Sequence, residues 1–248
     1  MKPIVVVAGL LLAVGTAVVA CYRALHVPPR QTAVVVLRDV TDSFAAHPNA
    51  GELLALFDLR GAQPWSGARL RVSSITDVSH NRVSEARLDP ANKWLSNELE
   101  RGRHIERFEA DVVRIVDNSG AVGTGKNHSS VFYAVAQQLT YLSGSGADAG
   151  ILIVYSDLME NTPELSFYDT RVLAALRERP DEVVRAWEGR LGPATLAGID
   201  VYLIHQPASA ADDAAYQTVS GFYRQLLEGK GARVTVSANL LPTRSNDR

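Results

Sequence analysis

The chain has 248 residues, 46% of them hydrophobic, which suits one globular domain of about 200 residues plus a short appendage. Its 25 basic and 27 acidic residues leave a formal net charge of -2, so no broad positive field attracts nucleic acid, and we expect no nucleic-acid partner. Cys21 is the only cysteine, which excludes an internal disulfide and a cysteine-built metal site from a domain that follows it.

The N-terminus contains an uncharged apolar segment, residues 4–22, between Lys2 and Arg23. As a helix with a rise of about 1.5 Å per residue, this segment spans roughly 29 Å, close to the thickness of the hydrocarbon core of a bilayer. It therefore predicts a transmembrane anchor. The letters VVAC that end at Cys21 also resemble a bacterial lipobox, whose cysteine is lipidated, so a lipoprotein signal is the alternative. Both predict a chain anchored to a bacterial cell membrane, with a periplasmic or extracellular domain.

Strand and helix patterns alternate after this segment. Apolar runs typical of buried strands occupy residues 32–37 and 150–155. Further strands are predicted at residues 70–75, 199–204 and 234–237, and a half-polar run at residues 82–88 predicts an edge strand. Amphipathic helix patterns occupy residues 50–59, 92–117, 132–142, 171–191 with a break at Pro180, and 216–227.

This alternation predicts the fold class and the domain boundaries. We expect a doubly wound α/β fold, a mostly parallel sheet flanked by helices in the Rossmann-like manner, over residues 32–240. The anchor or lipoprotein signal with its linker occupies residues 1–31, and residues 241–248 form a C-terminal tail. In such a fold ligands bind outside the carboxyl ends of the strands, so the residues just after each strand become the candidates for a site.

The apolar pattern also predicts which side chains lie inside. Strands near Val35, Ile153 and Leu203 are expected in the interior of the sheet. The basic side chains of residues 101–107 are expected on a solvated face. Helical spacing beside other apolar positions predicts core packing for five aromatic residues: Trp94, Trp187, Tyr216, Phe222 and Tyr223.

Oxygen-bearing side chains follow two of the predicted strands. Asp39, Thr41 and Ser43 form an Asp-x-Thr-x-Ser turn after the first strand, and Asp157 follows the strand at residues 150–155. Carboxylate and hydroxyl oxygens are the ligands that hard divalent cations such as Mg²⁺ take. The loop before Phe132 offers further hydroxyls at Thr124, Ser129 and Ser130.

These residues resemble the metal-ion-dependent adhesion site of the von Willebrand factor type A family. That family builds the site from an Asp-x-Ser-x-Ser turn after the first strand, a loop threonine and an aspartate after the fourth strand. Asp39, Thr41 and Ser43 match the first motif with one serine-to-threonine change that keeps the hydroxyl, and Asp157 matches the last. The element order agrees over residues 32–240.

The loop ligand is the position for which the chain offers three hydroxyl side chains. The family threonine is followed five and six residues later by Ala-Leu, and Ser129 with Ala134 and Val135 fits this spacing better than Thr124 does. Ser130 stays an alternative.

The resemblance implies recognition and no chemical step, so we expect no enzyme. A cation, Mg²⁺ or alternatively Mn²⁺ or Ca²⁺, would be held by a set of five residues: Asp39, Thr41, Ser43, Ser129 and Asp157. An acidic side chain of a protein ligand would complete its coordination. Rim residues that would select that ligand include Lys126, His128 and Glu160.

Two other functions compete with this interpretation. Residues 120–127 (GAVGTGKN) match the phosphate-binding pattern G-x-x-x-x-G-K, with Asp157 as the acidic residue of a nucleotide hydrolase. Asn127 stands where that pattern has a magnesium-binding Ser or Thr, and a helix pattern precedes the loop where a strand is required. The third possibility is a structural α/β domain whose metal site is vestigial, with Asp157 only ending its strand in an Asx turn.

Overall fold

The computed structural model describes residues 29–40, 46–75, 83–119 and 129–240. The predicted membrane segment at residues 4–22, with Cys21, lies outside them. Within the described ranges no helix combines the length and the apolar character that crossing a bilayer requires.

Six strands form one sheet. They are β1 (Gln31–Asp39), β2 (Gly67–Ile75), β3 (Val83–Leu88), β4 (Ala149–Tyr155), β5 (Ile199–Ile204) and β6 (Arg233–Ser237). Their order across the sheet is β3-β2-β1-β4-β5-β6; β3 is antiparallel to β2, and every other neighbouring pair is parallel. The predicted doubly wound, mostly parallel α/β sheet is thereby confirmed, and the strands at Val35, Ile153 and Leu203 lie in its interior.

The helices of the described residues cover both faces of the sheet. They are α1 (Ala50–Ala55), α2 (Glu98–Asn118), α3 (Val131–Gly144), α4 (Thr170–Glu178), α5 (Pro180–Glu188) and α6 (Ala210–Glu228). Alternation along β1 divides its apolar side chains: Val34 and Val36 pack in the core that holds α1 and α2, while Val35 and Leu37 pack in the core that holds α3 to α6. The predicted break at Pro180 separates α4 from α5.

Two helix boundaries differ from the prediction. The helix predicted over residues 50–59 ends at Ala55, because Asp58 takes a left-handed conformation (φ 48°) and its carboxylate accepts a hydrogen bond from the amide of Ala62. The helix predicted over residues 92–117 begins only at Glu98. In both cases an Asp or Asn side chain binds nearby amides and stabilises a turn where the apolar spacing alone continued the helix.

Asn97 caps the start of α2, and its loss should be measurable. The side-chain oxygen of Asn97 accepts from the amides of Leu99 and Glu100. We expect Asn97→Ala to lower the free energy of unfolding by about 1 kcal/mol, because these amides lose their partner. Urea denaturation measures this change. Asn118→Ala, at the other end of α2, is the control and should cost less; equal losses in the two variants would contradict the capping role.

Candidate metal centre

Asp39 is the last residue of β1 and lies at the point where the strand order reverses. The chain builds β2 and β3 on one side of β1 and then crosses to β4 on its other side. A switch point of this kind, at the carboxyl ends of β1 and β4, is the usual ligand position of doubly wound sheets. The Asp39 side chain is 1% exposed. A carboxylate this deeply buried requires polar partners.

Two serine hydroxyls supply such partners. Ser156 Oγ donates to Asp39 Oδ2 at 2.8 Å, and Ser129 Oγ donates to the same oxygen at 3.3 Å. Ser156 directly follows β4, and Ser129 comes two residues before α3. Residues distant in sequence are thus gathered around one carboxylate, as predicted for Asp39 and Ser129.

Asp157 follows Ser156 and is half-buried. Its Oδ1 accepts from the amide of Met159 at 2.9 Å, which is the hydrogen bond of an Asx turn. The turn leads into Leu158, a fully buried residue held in a left-handed conformation (φ 62°) that is unusual for a branched side chain. The Asx turn that the sequence suggested for Asp157 is therefore present.

Glu160 connects the loop after β4 to the start of α3. Its Oε2 accepts from the amide of Phe132 at 2.7 Å, and it replaces a local cap because Ser130 makes no side-chain capping bond. The next residue, Asn161, donates its amide to the carbonyl of Ser129 at 2.9 Å. Two contacts therefore fix the loop after β4 against the loop that carries Ser129.

The Glu160 carboxyl is 3% exposed, and its acidity reflects that position. Burial raises the pKa of Glu160 to about 7, and the negative charge of Asp39 adds to the rise. Hydrogen bonds from Phe132 and Thr162 act in the opposite direction but do not cancel the effect of burial. The site therefore contains a carboxyl that is half ionised near neutral pH and responds to the charge of Asp39.

Tyr223, on α6, is a buried phenol within electrostatic range of three carboxylates. Its side chain is fully buried, and its hydroxyl has no hydrogen-bond partner among the described residues. Burial raises the pKa of Tyr223 well above its usual value, and the charges of Glu160, Asp157 and Asp39 each raise it further. All three carboxylates therefore act on the same buried point, where a protonated phenol stays able to donate.

The oxygen donors of this cluster fit a hard divalent cation in chemical type. In the part of the chain that the structure describes, no group of three or more His, Cys, Asp or Glu side chains is placed to hold a metal ion. A site of the predicted kind needs only two carboxylates and takes its other ligands from hydroxyls. Two of those predicted hydroxyls, on Thr41 and Ser43, lie outside the described residues.

A buried histidine lies at the carboxyl end of the neighbouring strand β5. His205 lies at the end of β5, 3% exposed, with its Nε2 3.3 Å from Asp212 Oδ2 and its ring against Tyr216. These contacts join it to the first turns of α6. The candidate loop hydroxyl of Thr124 and the predicted rim residues Lys126 and His128 lie outside the described residues.

Ser156 and Tyr223 are site residues that the sequence interpretation missed. The sequence signal for Ser156 was its place directly after the predicted strand at residues 150–155. In the structure Arg38 pairs with Tyr155 in the parallel register, so Ser156 comes opposite Asp39. Tyr223 carried no such signal, because its spacing is that of an ordinary core residue. The chain matches no protein-family model and no curated protein. The functional argument therefore rests on the fold and the geometry of the site.

Proposed function

We propose that the chain is a membrane-tethered, metal-dependent protein-binding module of the von Willebrand factor type A kind, and not an enzyme. The observation that carries this proposal is the buried carboxylate of Asp39, bound by the hydroxyls of Ser129 and Ser156 at the switch point between β1 and β4. Its place in the fold and its ligand types agree with the site that the resemblance implies.

Five residues would hold the cation, directly or through water: Asp39, Thr41, Ser43, Ser129 and Asp157. A bound Mg²⁺ supplies a fixed positive charge to which a carboxylate of a protein ligand binds. The residues of this chain prepare that position: Ser156 orients the Asp39 carboxylate, and Glu160 fixes the Ser129 loop against the loop after β4. Recognition of an acidic side chain needs no further group.

The nucleotide-hydrolase alternative has less support. A phosphate-binding loop of that kind follows a strand and opens a helix, so that backbone amides face the phosphates. Residues 120–127 lie outside the described residues, but the element before them is α2, a helix that runs to Asn118. With Asn127 in place of the magnesium-binding hydroxyl, this loop lacks both the context and the last residue of the motif.

Titration calorimetry with Mg²⁺ alone tests the metal site. Asp39→Asn keeps the size of the side chain and an oxygen that accepts from Ser129 and Ser156, but removes the charge. We expect Asp39→Asn and Asp157→Asn each to weaken Mg²⁺ binding by at least about tenfold, since loss even of an outer ligand has effects of that order.

Asp212→Asn is the matched control, because Asp212 is a carboxylate near the carboxyl end of the neighbouring strand β5. Its Mg²⁺ affinity should equal that of the wild type. Unchanged Mg²⁺ affinity in both Asp39→Asn and Asp157→Asn would refute the metal site, and a wild-type chain that binds no Mg²⁺ would leave a structural domain with a vestigial site.

A further inference from the structure

Three large apolar side chains stand out in solvent near the start of α2. Trp94 is 66% exposed, Leu95 87% and Leu99 70%. We call these three residues the Trp94 surface. The helix pattern predicted core packing for Trp94, and that prediction is wrong. Because removing apolar side chains from water is favourable, a contact that buried all three would be stabilising.

The Trp94 surface is held in a defined conformation. The amide of Trp94 donates to the side chain of Asn92, and the amide of Leu99 donates to that of Asn97. One turn into α2, the buried guanidinium of Arg101 donates to the carbonyls of Pro64, Ser66 and Asp89 at 2.6 to 2.7 Å. These bonds tie α2 to the loops before β2 and after β3, so the apolar side chains project from a fixed base.

The Trp94 surface lies at the end of the sheet where strands β1 and β2 begin. The amide of Gly67, the first residue of β2, donates to the carbonyl of Arg30 at 2.8 Å. Gly67 is so close to its neighbours that a β-carbon there would come within 2.9 Å of Pro90 Cδ and 3.0 Å of Gln31 Cγ. Pro90 belongs to the same loop as Trp94. The chain therefore enters the domain beside the Trp94 surface.

The length of the preceding chain restricts what can face this end of the sheet. Residues 23–30 separate the apolar segment 4–22 from Gln31, and a stretch of that length reaches at most about 28 Å when fully extended. If the apolar segment is in a bilayer, as proposed, the end of the sheet that carries the Trp94 surface stays within that distance of the lipid. A membrane is thus the one partner that is always present there.

The charges around the surface indicate the type of contact. Four exposed charged residues flank it, two basic and two acidic: Lys93, Arg103, Glu98 and Glu100. They provide no net attraction to anionic headgroups. Tryptophan and leucine side chains, in contrast, partition into the zone between headgroups and acyl chains. We propose that the Trp94 surface inserts into the lipid surface next to the anchor and fixes the orientation of the domain on the membrane.

This inference rests on the proposed anchor, and fluorescence of the full chain in vesicles tests it. The chain is reconstituted in phosphatidylcholine vesicles with and without bromine on the acyl chains. We expect bromine to quench the tryptophan emission of the wild type. In a Trp65→Phe background, which removes the other tryptophan at this end of the sheet, most of the quenching should be lost in Trp94→Phe and kept in Trp187→Phe, because Trp187 packs against Phe132 on the other face of the sheet.

Charge substitutions provide a second test that keeps the reporter. Leu95→Glu with Leu99→Glu should remove the quenching of Trp94, whereas Val113→Glu, at an exposed position far along α2, should leave it. In the Trp65→Phe background, equal quenching with and without Trp94→Phe would overturn the inference. So would quenching that requires anionic lipid, or a Trp94 shielded from both bromine and aqueous iodide, which would mean that a second copy covers the surface.

Failure of the anchor is distinguishable from failure of the surface. A full chain that does not float with the vesicles would overturn the anchor and this inference together, while Mg²⁺ binding in solution would be unaffected. A chain that floats with Trp94 unquenched would overturn only the membrane contact of the Trp94 surface.

Discussion

At pH 8, Glu160→Gln is expected to raise the free energy of unfolding by up to about 3 kcal/mol, and at pH 5 to change it little. The folded state raises the pKa of Glu160 from 4.5 to about 7. Between these values the folded chain binds a proton that the unfolded chain does not bind, so wild-type stability falls as the pH rises through this window. The glutamine side chain of the variant carries no charge at any pH, and its oxygen can still accept from the amide of Phe132.

Urea denaturation at several pH values in the presence of a chelator measures this effect. Glu164→Gln is the control, because Glu164 is an exposed carboxylate of the same loop and the substitution changes the net charge equally. A wild-type stability that does not fall between pH 5 and pH 8 relative to Glu160→Gln would show that Glu160 is not destabilised by its burial. Saturating Mg²⁺ should reduce the difference, since a nearby cation favours the ionised carboxyl.

Arg101→Ala is expected to lower the free energy of unfolding by about 3 kcal/mol or more. Arg101 is 5% exposed, and its guanidinium donates to three carbonyls. Burial lowers its pKa, and the charge of Asp89 opposes that shift, so the side chain stays charged. Its removal leaves the buried carbonyl of Ser66 and two partly buried carbonyls without this donor, and a buried carbonyl without a partner costs about 1 to 3 kcal/mol.

Two variants sharpen the Arg101 prediction. Arg101→Lys should recover only part of the loss, because an ammonium group cannot match the three directions of the guanidinium fork. Arg103→Ala, two residues further along α2 and exposed, should change stability by less than about 0.5 kcal/mol. If thermal and urea denaturation gave equal stabilities for Arg101→Ala and Arg103→Ala, the carbonyl contacts would have no role in stability.

The centre of the sheet was predictable from the sequence because β1 and β4 contain continuous apolar runs, and such runs identify central parallel strands. The helix boundaries were harder to predict from the sequence. Spacing of apolar residues cannot show that the Asn97 and Asp58 side chains bind backbone amides and change the chain direction there. For the same reason Arg101 was expected in solvent with its basic neighbours, and Trp94 in the core. In the structure Arg101 is buried and Trp94 is exposed.

The site was predictable only where sequence spacing encodes position. Asp39 and Asp157 follow buried strands, and that alone brings them to the same edge of the sheet. Glu160 acts through a contact with Phe132, 28 residues away in the chain, which depends on how two loops pack. Such contacts have no local pattern, so neither the raised pKa of Glu160 nor the position of Tyr223 could be obtained from the sequence.

The two ends of β1 are the points at which the proposed anchor and the proposed ligand would exert force on the domain. An anchor would pull on the domain at Gln31, and a ligand bound at Asp39 would pull at the opposite end of the same strand. Tension would then run lengthwise along β1, which pairs with β2 on one side and β4 on the other, from Gln31 to Asp39 and from Thr32 to Arg38 respectively. The part of the load held by Asp39 would pass along the covalent backbone of β1, and the part held by Asp157 would cross the β1–β4 ladder in shear, where its hydrogen bonds would have to break together. The proposed arrangement therefore suits a tether under force, with the central strand as its most resistant part.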